Sequence, residues 1–369
     1  MRIGVDAGAL RHRLTGIGWY LSRVIEHLPA EIKQDDEILL YASRPLTTVP
    51  TSRLPLRLRT DRSRLPGTFW LQTRATRLLK HDKPDCFWGP SHFLPLSLPV
   101  GIRGVLTVHD IVPVLYPRSM ARYNALVHRL YFRKSLTRAD AIITVSEQTK
   151  RDLVARLGVT EARITVVPEA ADPIFQPLPL PQVQNRLSAM GIGDEYVLAV
   201  GTIEPRKNYP LLFRALARLP ARFKLVVAGK KGWRYRHILS EVHRLNIEHR
   251  VSLLDYVTVE NLVALYCGAL YVVIPSVYEG FGLPVLEAMA CGTPVLASNC
   301  SSLPEVGGDA AVYFDPTSVE SLVQRMVELA ENRVLRNHCR EAGMRRARLF
   351  SWDKTAEKVM DILRSSPRT

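Results

Sequence analysis

Cysteine, long apolar runs and metal-ligand spacings are all scarce in this chain. Its five cysteines, Cys86, Cys267, Cys291, Cys300 and Cys339, are scattered over 369 residues and odd in number. That pattern excludes a disulfide framework or a zinc module and reads as reduced thiols in a cytosolic protein. No stretch of about 18 apolar residues occurs, so no membrane-spanning helix is expected. The opening MRIGVDAGAL lacks the apolar core of a signal peptide and reads as a strand and loop. No Asp-x-Asp triplet and no His/Cys/Asp cluster with ligand spacing is present, so no metal site is expected. The dinucleotide fingerprint G-x-G-x-x-G is also missing. Gly16 and Gly18 are followed by Leu21 where the third glycine belongs, and the pair lies some ten residues past the strand. A nicotinamide oxidoreductase is therefore disfavoured.

A basic balance is what the chain does have. Lys and Arg number 50 against 35 Asp and Glu, a formal charge of +15. Residues 1–172 hold 26 cations and 16 anions, a net of +10. Such a half suits an anionic partner, either nucleic acid or an anionic membrane surface. Nucleic acid requires base-stacking aromatics interleaved with the cations. Arg53–Arg64 and Met120–Arg138 instead carry ordinary core residues, so no nucleic-acid partner is expected. Phe69, Trp70 and Leu71 beside Arg74, Arg77 and Lys80 describe either a basic amphipathic helix resting on anionic lipid or a core helix.

Short apolar strands alternate with helices along the whole chain, which predicts parallel sheets covered on both faces. In the first half, strands are expected at Ile3–Asp6, Glu37–Ala42, Leu54–Arg59, Cys86–Trp88, Gly104–Val108, Ala141–Val145 and Ile164–Val167. Helices are expected at Ile17–Leu28, Thr68–Lys80, Met120–Thr137 and Glu147–Arg156. Asp172–Gln182 carries four prolines and reads as a linker. The pattern then restarts with strands at Val197–Val200, Lys224–Ala228, Val251–Leu254, Tyr271–Pro275 and Val295–Ala297. Helices follow at Val319–Glu331, Leu335–Leu349 and Trp352–Leu363, the last with Ser351 as its N-cap. The expected division is a first domain over 1–172, a linker over 173–185, a second domain over 186–350 and a terminal helix over 351–369. Both domains are α/β, doubly wound and Rossmann-like. In such sheets ligands gather at the carboxyl ends of the strands.

The motifs fall at those ends. PSVYEGFGLPVLEAMA, from Pro275 to Ala290, passes from a glycine loop into a helix with Leu283, Leu286 and Met289/Ala290 on one stripe. Gly280 and Gly282 leave backbone free to approach a ligand, and the first amides of the helix, near Gly282 and Leu283, make an anion site. Glu279 stands in the loop and Glu287 about two turns on, roughly 12 Å away if all is helical. Gly201-Thr202-Ile203-Glu204-Pro205-Arg206-Lys207-Asn208 ends in two cations ahead of a helix, with Asn208 as N-cap. A guanidinium fork and a compact ammonium together match a diphosphate. Thr15-Gly16-Ile17-Gly18 is a second glycine turn before a helix. His109-Asp110 follows a strand, where the ring is placed either to donate to a ligand oxygen or to complete a turn. Tyr256 and Val257 end another strand.

The string around Glu279 and Glu287 resembles the Glu-x7-Glu signature of family 4 retaining glycosyltransferases, with its Gly-Phe-Gly core (Gly280, Phe281, Gly282) and the following EAMACGTPV. GTIEPRKN is similar to that family's phosphate loop, although some members carry Arg where Thr202 stands. The resemblance covers nearly the whole chain and implies the GT-B fold, with the final helix crossing back to the first domain. It implies that Glu279 meets hydroxyls of the donor sugar and Glu287 the ribose. Arg206, Lys207, Phe281, Gly282 and Leu283 would meet the donor, with Gly16 and Gly18 beside its phosphates, Tyr256 and Val257 against the base, and His109 near the reacting sugar. The implied reaction is retaining, metal-independent hexosyl transfer without a cofactor. The donor is a nucleotide sugar, GDP-mannose first and UDP-glucose or another hexose second. The acceptor is a saccharide, lipid-linked at the cytoplasmic membrane face. Ser298–Ser302, with Pro304 and Glu305, is similar to the family's next loop and reads as support for the fold alone.

Overall fold

A computed structural model describes residues 1–11, 14, 16–29, 36–61, 63–117, 122–193 and 195–365. The chain forms two compact units. In the first, β1 (Arg2–Asp6), β2 (Glu37–Tyr41), β3 (Leu56–Arg59), β4 (Cys86–Gly89), β5 (Arg103–Val108), β6 (Ala141–Thr144) and β7 (Ile164–Val166) form one sheet in the order β3-β2-β1-β4-β5-β6-β7. Every pairing is parallel, with Val5 opposite Leu40 on one side and Trp88 on the other. In the second unit, β8 (Val197–Val200), β9 (Leu225–Ala228), β10 (Val251–Leu254), β11 (Tyr271–Ile274), β12 (Val295–Ser298) and β13 (Val312–Phe314) run β10-β9-β8-β11-β12-β13. The central strands are buried on both faces, which is why they read as unbroken apolar runs.

Both orders reverse once. The reversal lies between β1 and β4 in the first sheet and between β8 and β11 in the second. At such a switch point the connections leave in opposite directions and open a crevice beyond the strand ends.

The terminal helix Trp352–Arg364 belongs to the first unit. Ser351 caps it by accepting the Asp353 N–H at 3.2 Å. Trp352, Ala356, Val359, Met360 and Leu363 are buried at helical spacing. Thr355 donates to the Pro168 carbonyl (2.7 Å), and Asp353 pairs with His27 (2.8 Å) at the end of the helix Gly16–Glu26.

Three expectations need correction. The stretch 173–185 is not linker throughout, because Leu180–Ala189 is a helix with Pro181 in its first turn, where a missing N–H costs nothing. Val183 and Leu187 bury its apolar side. The stretch from Phe69 to Lys80 is helical, with a π turn at Leu71–Ala75, but Trp70 and Leu71 are each only 2% exposed. Its apolar face is therefore core, and only Phe69 of the three apolar residues faces outward. The buried positions of Leu283–Ala290 are Val285, Leu286, Ala288 and Met289, not Leu283 and Ala290. The helix begins at Leu283, so Glu287 stands about 6 Å along it and Glu279 lies in the loop before it. The helix expected from Met120 runs over Arg122–Arg138; Met120 itself, like Thr15, lies outside the described residues. Among the described residues no helix is long and apolar enough to cross a membrane.

Candidate active site

The switch point of the second sheet collects the loops after β8 and β11. Gly201 opens the first loop at φ +140°, and a Cβ there would stand 3.2 Å from Lys207 Cε. A short turn over Pro205–Lys207 then presents the two cations. Asn208 does not cap the next helix with its side chain. It adopts φ +55°, a left-handed conformation that asparagine tolerates, and Nδ2 donates to the Pro316 carbonyl (3.0 Å).

Glu279, 6% exposed, sits between those cations. Lys207 Nζ lies 2.5 Å from Oε1, and Ser276 Oγ donates to the same oxygen at 2.6 Å. An Arg206 terminal nitrogen donates to Oε2 at 2.6 Å and to the Tyr278 carbonyl at 3.1 Å, while Arg206 Nε pairs with Glu204 at 2.6 Å. The Val277 N–H donates to the Arg206 carbonyl (2.9 Å), locking one loop to the other. Burial alone pushes the Glu279 carboxyl up, but the Lys207 and Arg206 charges and the hydrogen bonds from Lys207 and Ser276 outweigh it and hold it at about 2. Two cations and two carboxylates thus meet at the crevice. Oε1 already accepts two bonds, whereas Oε2 retains acceptor capacity.

The loop then turns into the helix Leu283–Ala290 through Gly282 at φ +111°, where a Cβ would stand 3.0 Å from Leu303. The residues after β12, expected only to support the fold, hold this turn. Ser302 Oγ bridges the Glu279 and Phe281 carbonyls at 3.0 and 2.6 Å. Ser301 Oγ lies 2.7 Å from the Glu279 carbonyl and 3.1 Å from the Glu279 N–H. Glu287 accepts the Tyr266 hydroxyl at 2.7 Å. Ser276, Ser301 and Ser302 fall within stretches read from sequence as support for the fold alone or passed over, and Tyr266 carries no sequence signal, since tyrosine in an apolar helix is commonplace. Tyr256 and Val257 lie past β10 at the sheet edge, where Tyr256 is exposed with Lys230 Nζ 5.4 Å from its ring centroid.

Gly16, Gly18 and His109 lie on the first unit. Gly16 starts its helix with open space around it, while a Cβ on Gly18 would stand 3.1 Å from Leu14 and 3.2 Å from the Ala9 carbonyl. Gly18 is thus required for close packing. His109 is buried, and both ring nitrogens have protein partners: Nε2 with the Pro90 carbonyl (2.9 Å) and Nδ1 with Glu169 (3.1 Å). A carbonyl only accepts, so Nε2 carries a proton. A ring open to ligand was one expectation; burial instead pairs both nitrogens within the protein. Asp110 orients the turn by accepting the Val112 N–H at 2.9 Å.

Comparison with known proteins places these features in context. Residues 14–174 match the model described as Glycosyltransferase Family 4, and residues 189–346 the one described as Glycosyl transferases group 1. The chain is 30% identical to the O-antigen chain mannosyltransferase B of Escherichia coli over 98% of its own length and 99% of the relative's. It is 31% identical to the MMP alpha-(1->4)-mannosyltransferase of Mycolicibacterium hassiacum, over 80% of this chain and 74% of that one. The sucrose-phosphate synthase of Thermosynechococcus elongatus superposes with a TM-score of 0.78 at 20% identity, over 98% of each chain, a likeness of fold.

Proposed function

The chain belongs to glycosyltransferase family 4 and is a GT-B glycosyltransferase, and from that premise we propose that it moves a mannosyl group from GDP-mannose to a hydroxyl of a lipid-linked saccharide. The observation that carries the donor site is the meeting of Arg206, Lys207 and Glu279 at the switch point, beside the amide end of the helix at Gly282 and Leu283. A diphosphate is received there by the guanidinium, the ammonium and the free amides. The remaining capacity of Glu279 Oε2 accepts from a sugar hydroxyl, Glu287 meets the ribose, and the Tyr256 and Val257 backbone reads the base. Phe281 shapes the turn between them. The choice of mannose leans on the full-length likeness to the O-antigen enzyme.

The leaving diphosphate is neutralised by Arg206 and Lys207 in place of a metal ion. Transfer proceeds with retention by a front-face route. The bond from the anomeric carbon to the phosphate oxygen breaks, that oxygen takes the acceptor proton, and the acceptor oxygen bonds the same face. Catalysis rests on positioning and charge stabilisation. The test is donor hydrolysis across GDP-mannose, UDP-glucose and other nucleotide hexoses, with and without EDTA, followed by NMR of the anomeric proton in a transfer product. GDP-mannose should turn over fastest, chelator should change nothing, and the product should be the α-mannoside. Turnover of another donor in its place, EDTA sensitivity or a β product would each remove the corresponding part.

A further inference from the structure

The chemistry of the donor site leaves the five thiols unused, and two of them meet. Cys267 lies near the end of the helix Val259–Gly268, and Cys291 follows directly on the helix Leu283–Ala290. All five cysteines are free. The Cys291 thiol hydrogen-bonds the Cys267 sulfur, so the two sulfur atoms are in direct contact. Cys267 Sγ also lies 3.5 Å from the Gln176 carbonyl oxygen and 3.9 Å from that of Cys291. Cys291 is 4% exposed, whereas Cys267 is only half-buried and open to a small reagent. The bond from Cys291, joined by the Leu178 N–H and the Arg340 charge, outweighs burial and holds the Cys267 thiol below its ordinary value. The other thiols are pushed the opposite way. Burial takes Cys86 to about 12 and Cys300 to about 11 and raises Cys339, while the bond to Cys267 and then burial raise Cys291. A half-exposed thiol of low pKa beside a second thiol that can resolve it is the arrangement that peroxide oxidises selectively.

The pair adjoins the carboxylate assigned to the ribose. The Cys291 N–H donates to the Glu287 carbonyl at 3.0 Å. Tyr266, the chain neighbour of Cys267, donates its hydroxyl to the Glu287 carboxylate at 2.7 Å. Thr293 Oγ1 donates to the Tyr266 carbonyl at 2.7 Å, a further tie between the two helix ends. We propose that Cys267 and Cys291 are a peroxide-sensing dithiol whose closure to a disulfide weakens donor binding at Glu287, the donor part resting on the function proposed above. The Cys267 thiolate attacks one oxygen of hydrogen peroxide. An S–O bond forms, the O–O bond breaks, and the departing hydroxide takes up the proton that Cys267 had released. Cys267 becomes the sulfenic acid, its sulfur oxidised by two electrons. The Cys291 sulfur then attacks that sulfur. The S–S bond forms, the S–O bond breaks, and the Cys291 proton leaves with the hydroxide as water. Two thiols and one peroxide thus give a disulfide and two waters. A disulfide holds its sulfurs at about 2.05 Å, closer than any hydrogen bond between thiols. Both helix ends must therefore shift, and the Tyr266–Glu287 contact spans them.

In the test, the whole protein, reduced and freed of reductant, is treated with hydrogen peroxide at pH 7. Peptide mapping by mass spectrometry reads the linkage, and calorimetry reads GDP affinity. The parent should gain a Cys267–Cys291 disulfide while Cys86, Cys300 and Cys339 stay reduced. GDP affinity should fall about tenfold, the worth of one hydrogen bond to a charged group, and dithiothreitol should restore it. Cys291→Ser should stop at the sulfenic acid, caught by dimedone on Cys267. Cys267→Ser should leave Cys291 reduced and bind GDP like the reduced parent before and after peroxide, which also certifies its fold. Absence of the linkage, equal oxidation of Cys300, or no dimedone adduct on Cys267 in Cys291→Ser would overturn the dithiol. The linkage with unchanged GDP affinity would overturn its control of the donor site. A reduced parent that binds no GDP would sink the donor assignment instead, while the peptide map still judges the thiol pair.

Discussion

Glu279 carries donated bonds from Lys207, Ser276 and Arg206 in a nearly closed environment, so its charge is a structural asset as well as a chemical one. Its carboxyl falls from an ordinary 4.5 to about 2 on folding. A depressed carboxyl stabilises the fold above its unfolded value, and that contribution fades as pH drops from about 4.5 to 2. Its size at neutral pH is of the order of 3 kcal/mol. Urea titrations of the parent and Glu279→Gln should therefore keep a constant gap from pH 7 to 5.5 and a smaller one at pH 3.5. A gap already closing at pH 6 would show that the cations do not hold this carboxylate. In GDP binding the two glutamates should part company. Glu279→Gln removes a rival for Arg206 and Lys207 and should not weaken GDP, while turnover falls. Glu287→Gln should weaken GDP, because a ribose diol loses a charged acceptor. Lys207→Ala should cost roughly 2–5 kcal/mol of GDP affinity, about 30-fold to several-thousand-fold. Unchanged calorimetric affinity in that variant would disprove the phosphate assignment.

The turn from β11 into the helix Leu283–Ala290 is positioned by the next loop, since Ser302 serves two carbonyls of the turn and Ser301 a third contact. Ser302→Ala leaves those carbonyls without that donor at a buried site and should destabilise the protein by about 1–3 kcal/mol. It should also raise the KM for donor, because the Gly282 amide end shifts with the turn. Loss of stability with an unchanged KM would mean the clamp serves the fold alone. The elements themselves were largely legible, because central parallel strands must be apolar on both faces and the helices must carry a stripe. Arg206, Lys207 and Glu279 were legible as separate strand-end motifs. Their mutual pairing was not, since nothing local in residues 204–208 reveals which loop crosses the switch point to meet them. Asn208 before a helix looks like an N-cap, and only the backbone reveals its left-handed turn. The prolines around 173–185 obscured a helix, because proline is compatible with a first turn as well as with a linker. His109-Asp110 alone read as a turn, and only the family resemblance pointed to a role near the sugar; the pairing of both ring nitrogens was not legible, because Pro90 and Glu169 are distant in sequence.

Across the whole molecule the formal charge is +15, and residues 1–172 hold +10 of it. Charge of that size in one half acts on large anionic surfaces, and the fold decides which element presents it. The helix near Phe69 is excluded, because its apolar side is core. Helix Arg122–Arg138 is different. Tyr123, Leu126 and Leu130 are 52%, 46% and 44% exposed, at spacings of three and four residues that put them on one face. Arg129, Arg133 and Lys134 are exposed along the same helix, which contains no acidic residue. An apolar stripe edged by cations matches the boundary between headgroups and acyl chains of an anionic bilayer, each cation contributing about 1 kcal/mol near such a surface. A lipid-linked acceptor, as proposed, would be met there. The protein should therefore sediment with phosphatidylglycerol vesicles at low salt and much less at high salt, and not with phosphatidylcholine vesicles. Leu126→Glu with Leu130→Glu should abolish sedimentation while GDP affinity stays at the parent value. If the double variant still sediments, this face is not the contact. If the parent fails to sediment at low salt, or the double variant instead dissociates a dimer of the parent, the stripe serves another purpose and the membrane assignment falls.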